Sequence, residues 1–152
     1  MSETMSVQEL VYDETVQLTE MTDFGIDLQS ALSGTKAIPP EGVRVNVRFE
    51  GELTGPKLKG KIVGTDYLLV RGDGVAKLNV HGVITTDDGE RIAFHADGVS
   101  IPQEGSPTSQ VRENVTLHTA ASKYSWVNRL QFWATGQADL STRKVTLKGY
   151  SA

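Results

Sequence analysis

The stretch from Gly55 to Gly89 constrains the fold most, because it alternates short apolar runs with glycine and aspartate turn signals. It reads GPKLKGKIVGTDYLLVRGDGVAKLNVHGVITTDDG. Gly72-Asp73-Gly74 and Asp87-Asp88-Gly89 are typical of tight hairpin turns, and Gly64-Thr65-Asp66 indicates a further break. Turns this short join antiparallel neighbours, so the stretch predicts consecutive antiparallel strands.

The same strand pattern extends on both sides of this stretch. From Val43 to Phe49 every second residue is apolar, and the residues between them are charged or amides, which is the period of a half-buried strand. Further strands are predicted at residues 15–21, 58–63, 67–71, 75–86, 91–99, 111–121, 127–138 and 143–150. We expect an all-β fold, a single antiparallel barrel of about 8–10 strands, because closure removes exposed sheet edges.

Other segments lack this pattern. Residues 1–14 mix charged and apolar side chains, which indicates a poorly ordered N-terminal segment or a first strand, followed by one barrel domain over residues 15–152. The helical spacing of apolar residues between Asp27 and Gly34 predicts at most one short helix. Residues 102–110 carry two prolines and predict a polar surface loop that could also serve as a mobile flap.

Composition excludes several classes of protein. The 152 residues include no cysteine, so disulfides, thiolate metal sites and a cysteine nucleophile are ruled out. The formal charge of −4 with scattered Lys and Arg does not suit a nucleic-acid partner. Apolar runs are too short to span a membrane, and the N-terminus lacks the features of a signal peptide. We therefore expect a cytoplasmic protein with no membrane or nucleic-acid partner.

A set of ordered motifs gives the chain a resemblance to a known family. They are Gly55-Pro56 with Leu58 and Gly60, Arg71 with Asp73-Gly74-Val75, Leu78, Thr86 with Asp87-Asp88-Gly89, and Tyr124-Ser125-Trp126-Val127-Asn128-Arg129 with Gly136. In these residues, over roughly Gly42 to Tyr150, the chain resembles the family of small barrel proteins known as domain of unknown function 3237.

The resemblance implies a lipocalin-like or allene-oxide-cyclase-like barrel that is often oligomeric, so a homo-oligomer, with a dimer favoured, is expected. It implies no general activity. The chain departs from the family pattern at Asn79 and His81, which replace an Asp-x-Arg ion pair with a neutral, titratable couple. The segment from Met21 to Pro40 is also longer than the family's usual connection, which suggests an added element that closes a pocket.

The late predicted strand suggests a polar group inside the barrel. One face of this strand holds Trp126, Asn128, Leu130 and Phe132, and the other holds Arg129 and Gln131. The face with the apolar residues is predicted to point inward. Asn128 would then be an interior amide, which must bond either to the protein itself or to a ligand. The sequence leaves both alternatives open, and Trp126 would stack on an aromatic ligand.

The strand over residues 75–86 leaves its inward face undecided, because Asn79 and His81 share one face and Leu78 and Val80 the other. If the polar face lines the lumen, His81 is the best general acid or base, because its ordinary pKa lies near neutral pH. If that face points outward, His81 is a surface residue.

Two further residues complete the candidate ligand-binding set. Arg71 and Tyr67 share a face of a predicted strand, and a guanidinium beside a phenol suits a carboxylate or phenolate ligand. Asp73 is expected to serve turn geometry. The three histidines show no close metal-ligand spacing, so no metal is predicted. Glycines that lie between strands also fail to indicate a dinucleotide cofactor.

Three functions follow as hypotheses. The first is a cofactor-free isomerase or lyase for a small apolar or aromatic substrate, with His81 transferring protons and Tyr67, Arg71, Asn79, Trp126 and Asn128 binding the substrate. The second is a carrier or sensor that binds a ligand in the same lumen without chemistry. The third is a structural barrel filled by its own side chains.

Overall fold

The computed structural model describes residues 9–151, and these form an eight-stranded antiparallel barrel. The strands are β1 (Leu10–Asp23), β2 (Val43–Pro56), β3 (Lys59–Val70), β4 (Ala76–Thr86), β5 (Arg91–Pro102), β6 (Thr108–His118), β7 (Phe132–Asp139) and β8 (Lys144–Ser151). Each strand pairs with the next, and β1 also pairs with β8, which closes the barrel. The predicted all-β barrel is confirmed.

The predicted short helix is also confirmed. Helix α1 (Leu28–Ser33) lies between β1 and β2. Asp27 caps it by accepting a 3.1 Å hydrogen bond from the Ser30 N–H, and Gly34 ends it in the left-handed conformation with a φ of 77°, as expected of an Asp cap and a terminal glycine. Of the helices within residues 9–151, none combines the length and apolar character needed to cross a membrane.

One predicted break between strands and the predicted start of one strand are wrong. The break at Gly64-Thr65-Asp66 does not exist, because β3 runs straight through it. Gly64 is needed there for close packing, since a Cβ would lie 2.5 Å from the His81 carbonyl oxygen and 2.8 Å from the ring of Phe49. The strand predicted over residues 127–138 begins only at Phe132, because a 3₁₀ helix (Ser122–Arg129) precedes it.

The N-terminal prediction divides at the limit of the described residues. Residues 10–14 are the beginning of β1 and pair with β8, from Leu10 opposite Tyr150 to Glu14 opposite Leu147. Residues 1–8 lie outside the part of the chain that the structure describes. The polar loop predicted at residues 102–110 shortens to residues 103–107, because β5 and β6 extend into it.

The two ends of the barrel differ in how they are closed. We call the end that carries α1 the upper end; the turns between β3 and β4, β5 and β6, and β7 and β8 lie there as well. The lower end carries the 3₁₀ helix and is filled with fully buried side chains. These are Leu58, Ile62, Ile84, Ile92, Val127 and Phe132. The inward-facing residues at the lower end therefore form a packed core, whereas those at the upper end surround a cavity.

Candidate functional site

The upper half of the barrel encloses a cavity of about 100 Å³. Its walls are mainly apolar side chains from the strands, among them Val47, Leu68 and Phe94. Helix α1 contributes Leu28 and Leu32 to the lining, because residues four apart lie on the same face of a helix. The segment between β1 and β2 therefore helps to enclose the cavity, as predicted from its length.

Three carboxyl groups line this cavity among the described residues. Glu14 lies on β1, Asp66 on β3 and Glu113 on β6. Glu14 is 4% exposed and Glu113 is 7% exposed. One oxygen of each glutamate, Oε1, has no hydrogen-bond partner within residues 9–151. A buried polar atom without a partner costs about 1–3 kcal/mol, so a ligand that donates a hydrogen bond to either oxygen would offset this cost.

The environment of the three carboxyl groups raises the pKa of each one. Burial raises the pKa of Glu14 to about 7. Burial also raises the pKa of Asp66 to about 6, against the opposing effect of a 2.9 Å hydrogen bond from the Asn79 backbone N–H. Burial, then the nearby charges of Glu14 and Asp66, raise the pKa of Glu113 well above its ordinary value. The three groups interact, so a proton on one changes the proton affinity of the others.

Tyr12 adds a phenol below the carboxyl groups. Its side chain is fully buried and its hydroxyl has no hydrogen-bond partner within the described residues. Burial, followed by the charges of Glu14 and Glu113, raises its pKa well above the ordinary value. Gly149 on β8 makes room for the ring, because a Cβ there would lie 2.2 Å from two of its carbons. The phenol therefore stays protonated and can donate a hydrogen bond.

Glu14, Asp66, Glu113 and Tyr12 are not among the residues predicted for the site, although the sequence carries a signal for two of them. Glu113 lies between Val111 and Val115 on the same face of β6. This alternation indicates a carboxyl group on the inward face of the strand. Glu14 lies two residues before Val16 on the same face of β1. Asp66 was assigned to a turn that does not form. Nothing in the sequence pattern marks Tyr12 as part of a site.

Four of the predicted site residues lie on the outside of the barrel. The polar face of β4 points outward, so Asn79 and His81 are exposed. Of the two alternatives left open for this strand, the structure shows the one in which His81 is a surface residue, so His81 is not in the barrel cavity. The His81 ring lies 4.8 Å from the ring of His95 and 5.9 Å from the exposed ring of Tyr67, between centroids. Arg71 pairs with Asp73 in the exposed β3–β4 turn. The inward positions of β4 are taken by its apolar residues, because the barrel interior excludes water.

The other two predicted residues lie in the 3₁₀ helix at the lower end. Trp126 is partly buried against the core, and Asn128 is not an interior strand residue, so its predicted inward position is wrong. Asn128 accepts a 2.8 Å hydrogen bond from the Thr119 N–H and donates one of 2.8 Å to the Thr119 carbonyl. Of the two alternatives for its amide, the structure shows the one in which the protein satisfies it.

Replacing Asn128 by Ala is expected to lower the free energy of unfolding by about 1–3 kcal/mol, because Thr119 is buried and its N–H and carbonyl would both lose their partner. Urea unfolding followed by circular dichroism measures the change. Arg129→Ala, at the exposed neighbouring position, is the control and should change stability by less than about 0.5 kcal/mol. Equal stability of the two variants would contradict this structural role.

The 3₁₀ helix, which holds the motif residues Tyr124 to Arg129, contacts the Asp87-Asp88-Gly89 turn at the same end. Asp88 accepts hydrogen bonds from the Tyr124 hydroxyl at 2.9 Å and from the Thr86 hydroxyl at 2.6 Å, and it forms an ion pair with Lys123. These bonds hold the pKa of Asp88 well below its usual range. Residues of the motifs at Thr86 to Gly89 and at Tyr124 to Arg129, which are far apart in the chain, are thus in contact at the lower end. These contacts stabilise the fold.

Known proteins resemble this chain in fold. Its likeness to a protein of unknown function from Clostridium acetobutylicum has a TM-score of 0.75 at 24% identity and covers 94% of each chain. A β-barrel-like protein from Acinetobacter baumannii gives 0.74 at 21% identity and covers 94% of this chain and 93% of its own. An enzyme from Penicillium herquei gives 0.61 at 18% identity and covers 99% of both chains.

Sequence comparison gives the family. No curated protein matches the chain in sequence. The sequence profile of the family described as protein of unknown function (DUF3237) matches residues 16–152. This range contains the motifs at Gly55-Pro56, Arg71, Thr86 and Tyr124 to Arg129, and it includes every strand except the first part of β1. The chain therefore belongs to the DUF3237 family.

Proposed function

We propose that the protein is a cofactor-independent enzyme, an isomerase or a lyase, that moves protons on a small, largely apolar molecule held in the barrel cavity. The observation that carries the proposal is the pair Glu14 and Glu113, which are buried, lack a partner for one oxygen each within residues 9–151, and line a mainly apolar cavity. Strongly perturbed carboxyl groups in a cavity are frequent in active sites.

The pair suits acid and base roles because its two members cannot both ionise easily. Two carboxyl groups in a buried space favour a state in which one carries a charge and the other keeps its proton. The ionised carboxylate would accept a proton from a carbon atom of the substrate, and the protonated one would donate a proton to an oxygen or another carbon. In an isomerisation the substrate loses one proton and gains another. In a lyase reaction the C–H electrons form a double bond as the bond to a leaving group breaks, and the protonated carboxyl group gives its proton to that leaving group. Neither reaction needs a redox cofactor.

The apolar lining supports this chemistry. A pKa near 7, as for Glu14, places a carboxylate base close to the working pH. Leu28 and Leu32 of α1 add apolar side chains to the lining at the upper end, which would reduce the access of water that competes for the proton. The Penicillium herquei protein of similar fold is an enzyme, which supports the view that this kind of barrel can carry an active site.

A non-catalytic ligand carrier is the second candidate, and the mainly apolar walls of the cavity favour it. A carrier needs the cavity but not the protons of Glu14 and Glu113. The two functions therefore separate in variants that keep the shape of the carboxyl groups and remove their ability to exchange protons. The expected homo-oligomer and the expected cytoplasmic location stay predictions, which size-exclusion chromatography and cell fractionation would test.

The test uses phenylacetone, a small neutral ketone, whose α-hydrogens exchange with D2O and are followed by ¹H NMR. A carboxylate base would break the C–H bond and take the proton, while the bonding electrons move to the ketone oxygen; return from the solvent-exchanged acid then delivers deuterium to carbon. The double variant Glu14→Gln/Glu113→Gln is expected to lower the protein-catalysed rate by about tenfold or more, because an amide cannot act as the base.

Two variants serve as controls. Glu50→Gln makes the same chemical change on the exposed outer face of β2, and His81→Ala removes the outer imidazole. Both are expected to exchange phenylacetone hydrogens at the wild-type rate. If the double variant is as fast as the wild-type protein, or if the wild-type protein is no faster than buffer, the acid and base roles are contradicted and the carrier function becomes the better explanation.

A further inference from the structure

We infer that the natural ligand of the cavity carries a protonated amine, held by the carboxyl groups of Glu14 and Glu113. The inference rests on the cavity proposed above as an active site, and it adds the chemical class of the molecule bound there. It starts from the charges that line the cavity and from the two carboxyl oxygens that lack partners.

The ionisable side chains that line the cavity, within the described part of the chain, are all acidic. Glu14, Asp66 and Glu113 are present, and no Lys, Arg or His lines the cavity among residues 9–151. The protein therefore has no cation in this lining to pair with a carboxylate. An anionic ligand would be repelled by the carboxylates at close range in a medium of low dielectric constant, so ligands with a carboxylate or phosphate are unfavourable.

The unpartnered oxygens favour a ligand that donates hydrogen bonds. Glu14 and Glu113 present their free Oε1 atoms from β1 and β6, which are not neighbouring strands, so the two glutamates approach the cavity from different walls. An ammonium group has three N–H donors, which is enough for one hydrogen bond to each oxygen. An apolar ligand would leave both oxygens buried without partners, at a cost of about 1–3 kcal/mol each.

A metal ion is a poorer candidate for this position. Metal ions need several ligand atoms at short, fixed distances, and no group of three or more such side chains within residues 9–151 has an arrangement that could hold one. An ammonium group needs only hydrogen-bond distances and tolerates two carboxyl groups on different walls. It also allows one carboxyl group to form the ion pair while the other keeps its proton.

The remainder of the ligand would be apolar and small. The walls include Phe94 on β5 and, from α1 at the upper end, Leu28 and Leu32. The cavity volume of about 100 Å³ is about two thirds of that of an engineered apolar cavity that binds benzene, which has about 150 Å³, so only a small apolar group fits without some widening of the cavity. The chemical class that fits is therefore a small arylalkyl or alkyl amine in which the charged nitrogen points toward the glutamates.

Binding of an amine cation should release protons. Burial raises the pKa of Glu14 to about 7, and burial with the charges of Glu14 and Asp66 raises the pKa of Glu113 well above its ordinary value, so in the empty cavity the pair retains protons that exposed glutamates lose. A cation beside them favours the charged form and lowers their pKa again. Asp66 and Tyr12 face the same glutamates and are the other titratable groups that respond. Calorimetry in two buffers with different ionisation enthalpies would detect this proton release as a difference in apparent binding enthalpy.

The test compares three probes of nearly the same shape by isothermal titration calorimetry at neutral pH. They are benzylamine, which is a cation, benzyl alcohol, which is neutral, and benzoate, which is an anion. Benzylamine is expected to bind about tenfold or more tightly than benzyl alcohol, with proton release, and benzoate should not bind. Glu113→Gln should reduce the preference for benzylamine over benzyl alcohol by about tenfold, and Glu14→Gln should reduce it in the same direction.

Glu50→Gln on the outer face is the matched control and should leave all three titrations unchanged. Circular dichroism of each variant confirms that it folds before it is titrated. Equal affinity for benzylamine and benzyl alcohol would overturn the inference, and so would the absence of binding by any probe, or an unchanged preference in both glutamine variants. The proposed acid and base roles do not depend on this result, because phenylacetone exchange measures them with a neutral molecule.

Discussion

The free energy of unfolding is expected to fall by about 2–3 kcal/mol between about pH 5 and about pH 8 because of Glu14 alone. Burial raises the pKa of Glu14 from an ordinary value of 4.5 to about 7. The folded protein therefore holds this proton more tightly than the unfolded chain does. The stabilising effect is fully present below the unfolded pKa and is lost as the pH rises through the folded pKa.

Other carboxyl groups act in the same direction or outside this range. Asp66 has a folded pKa of about 6, so its contribution is also lost as the pH rises. The lowered pKa values of Asp27, Asp73, Asp88 and Asp139 stabilise the fold above the ordinary aspartate pKa of about 4 and matter only in more acidic solution. The range from about pH 5 to about pH 8 therefore isolates the cavity groups.

Glu14→Gln separates Glu14 from the other titrating groups. Glutamine keeps the shape but does not ionise, so the variant should lose less stability than the wild-type protein as the pH rises, and it should be the more stable of the two at about pH 8. Urea unfolding at both pH values measures the difference. Glu50→Gln should retain the wild-type pH dependence. If Glu14→Gln retains it as well, Glu14 is not the buried, proton-binding group described above.

Replacing Gly136 by Ala is expected to destabilise the barrel by about 3 kcal/mol or more. Gly136 lies on β7 opposite Leu147 of β8. A Cβ at this position would lie 1.9 Å from the Thr146 carbonyl oxygen and 2.8 Å from the Leu147 Cα. These are backbone atoms, so the contact can be relieved only if β7 and β8 move apart and lose hydrogen bonds of the closed barrel.

Gly72→Ala is the control for this substitution. Gly72 lies in the β3–β4 turn, and a Cβ there would meet nothing within 4 Å, so the change in stability should be below about 0.5 kcal/mol. Thermal unfolding followed by circular dichroism compares the two variants directly. A melting temperature for Gly136→Ala close to that of Gly72→Ala would show that β7 and β8 are less closely packed than the structure indicates.

The alternation of apolar residues predicted the barrel correctly because every strand has one face in water and one face in the interior. The pattern from Val43 to Phe49 is the clearest case, and these four apolar residues are all buried. The cap at Asp27 and the terminator at Gly34 predicted α1 for a similar local reason. Such signals depend on neighbours in the chain, so they can be recognised without knowledge of the fold.

Local patterns gave wrong predictions at two places where contacts between distant segments determine the backbone conformation. Trp126, Leu130 and Phe132 fall on one face of a predicted strand, but the amide of Asn128 binds the backbone of Thr119 and residues 122–129 form a 3₁₀ helix instead. Gly64 looks like a turn residue, but it serves the approach of β4 and Phe49. In both cases a contact between different segments overrides the local pattern, as it often does for strands.

In the candidate site, too, the residue types are known from the sequence, but their surroundings are set by the folded barrel. His81 was favoured for its chemistry, since an imidazole titrates near neutral pH, but the outward face of β4 leaves it in contact with water. Glu14 and Glu113 have ordinary carboxyl chemistry in the sequence, and only the closed barrel removes them from water and raises their pKa. A residue type does not reveal this, because the pKa depends on the surroundings.

The all-β class, the position of α1, the turns at residues 72–74 and 87–89 and the family could all be predicted from the sequence, because each follows from local periodicity, turn chemistry or an ordered set of motifs. Which face of β4 points inward and which residues line the cavity depend on contacts between distant strands and became clear only in the folded barrel. Closure of β1 onto β8 brings Glu14 and Glu113, nearly 100 positions apart in the chain, into one buried space. Two such groups interact through an interior of low dielectric constant, a property that exists only when the barrel is closed.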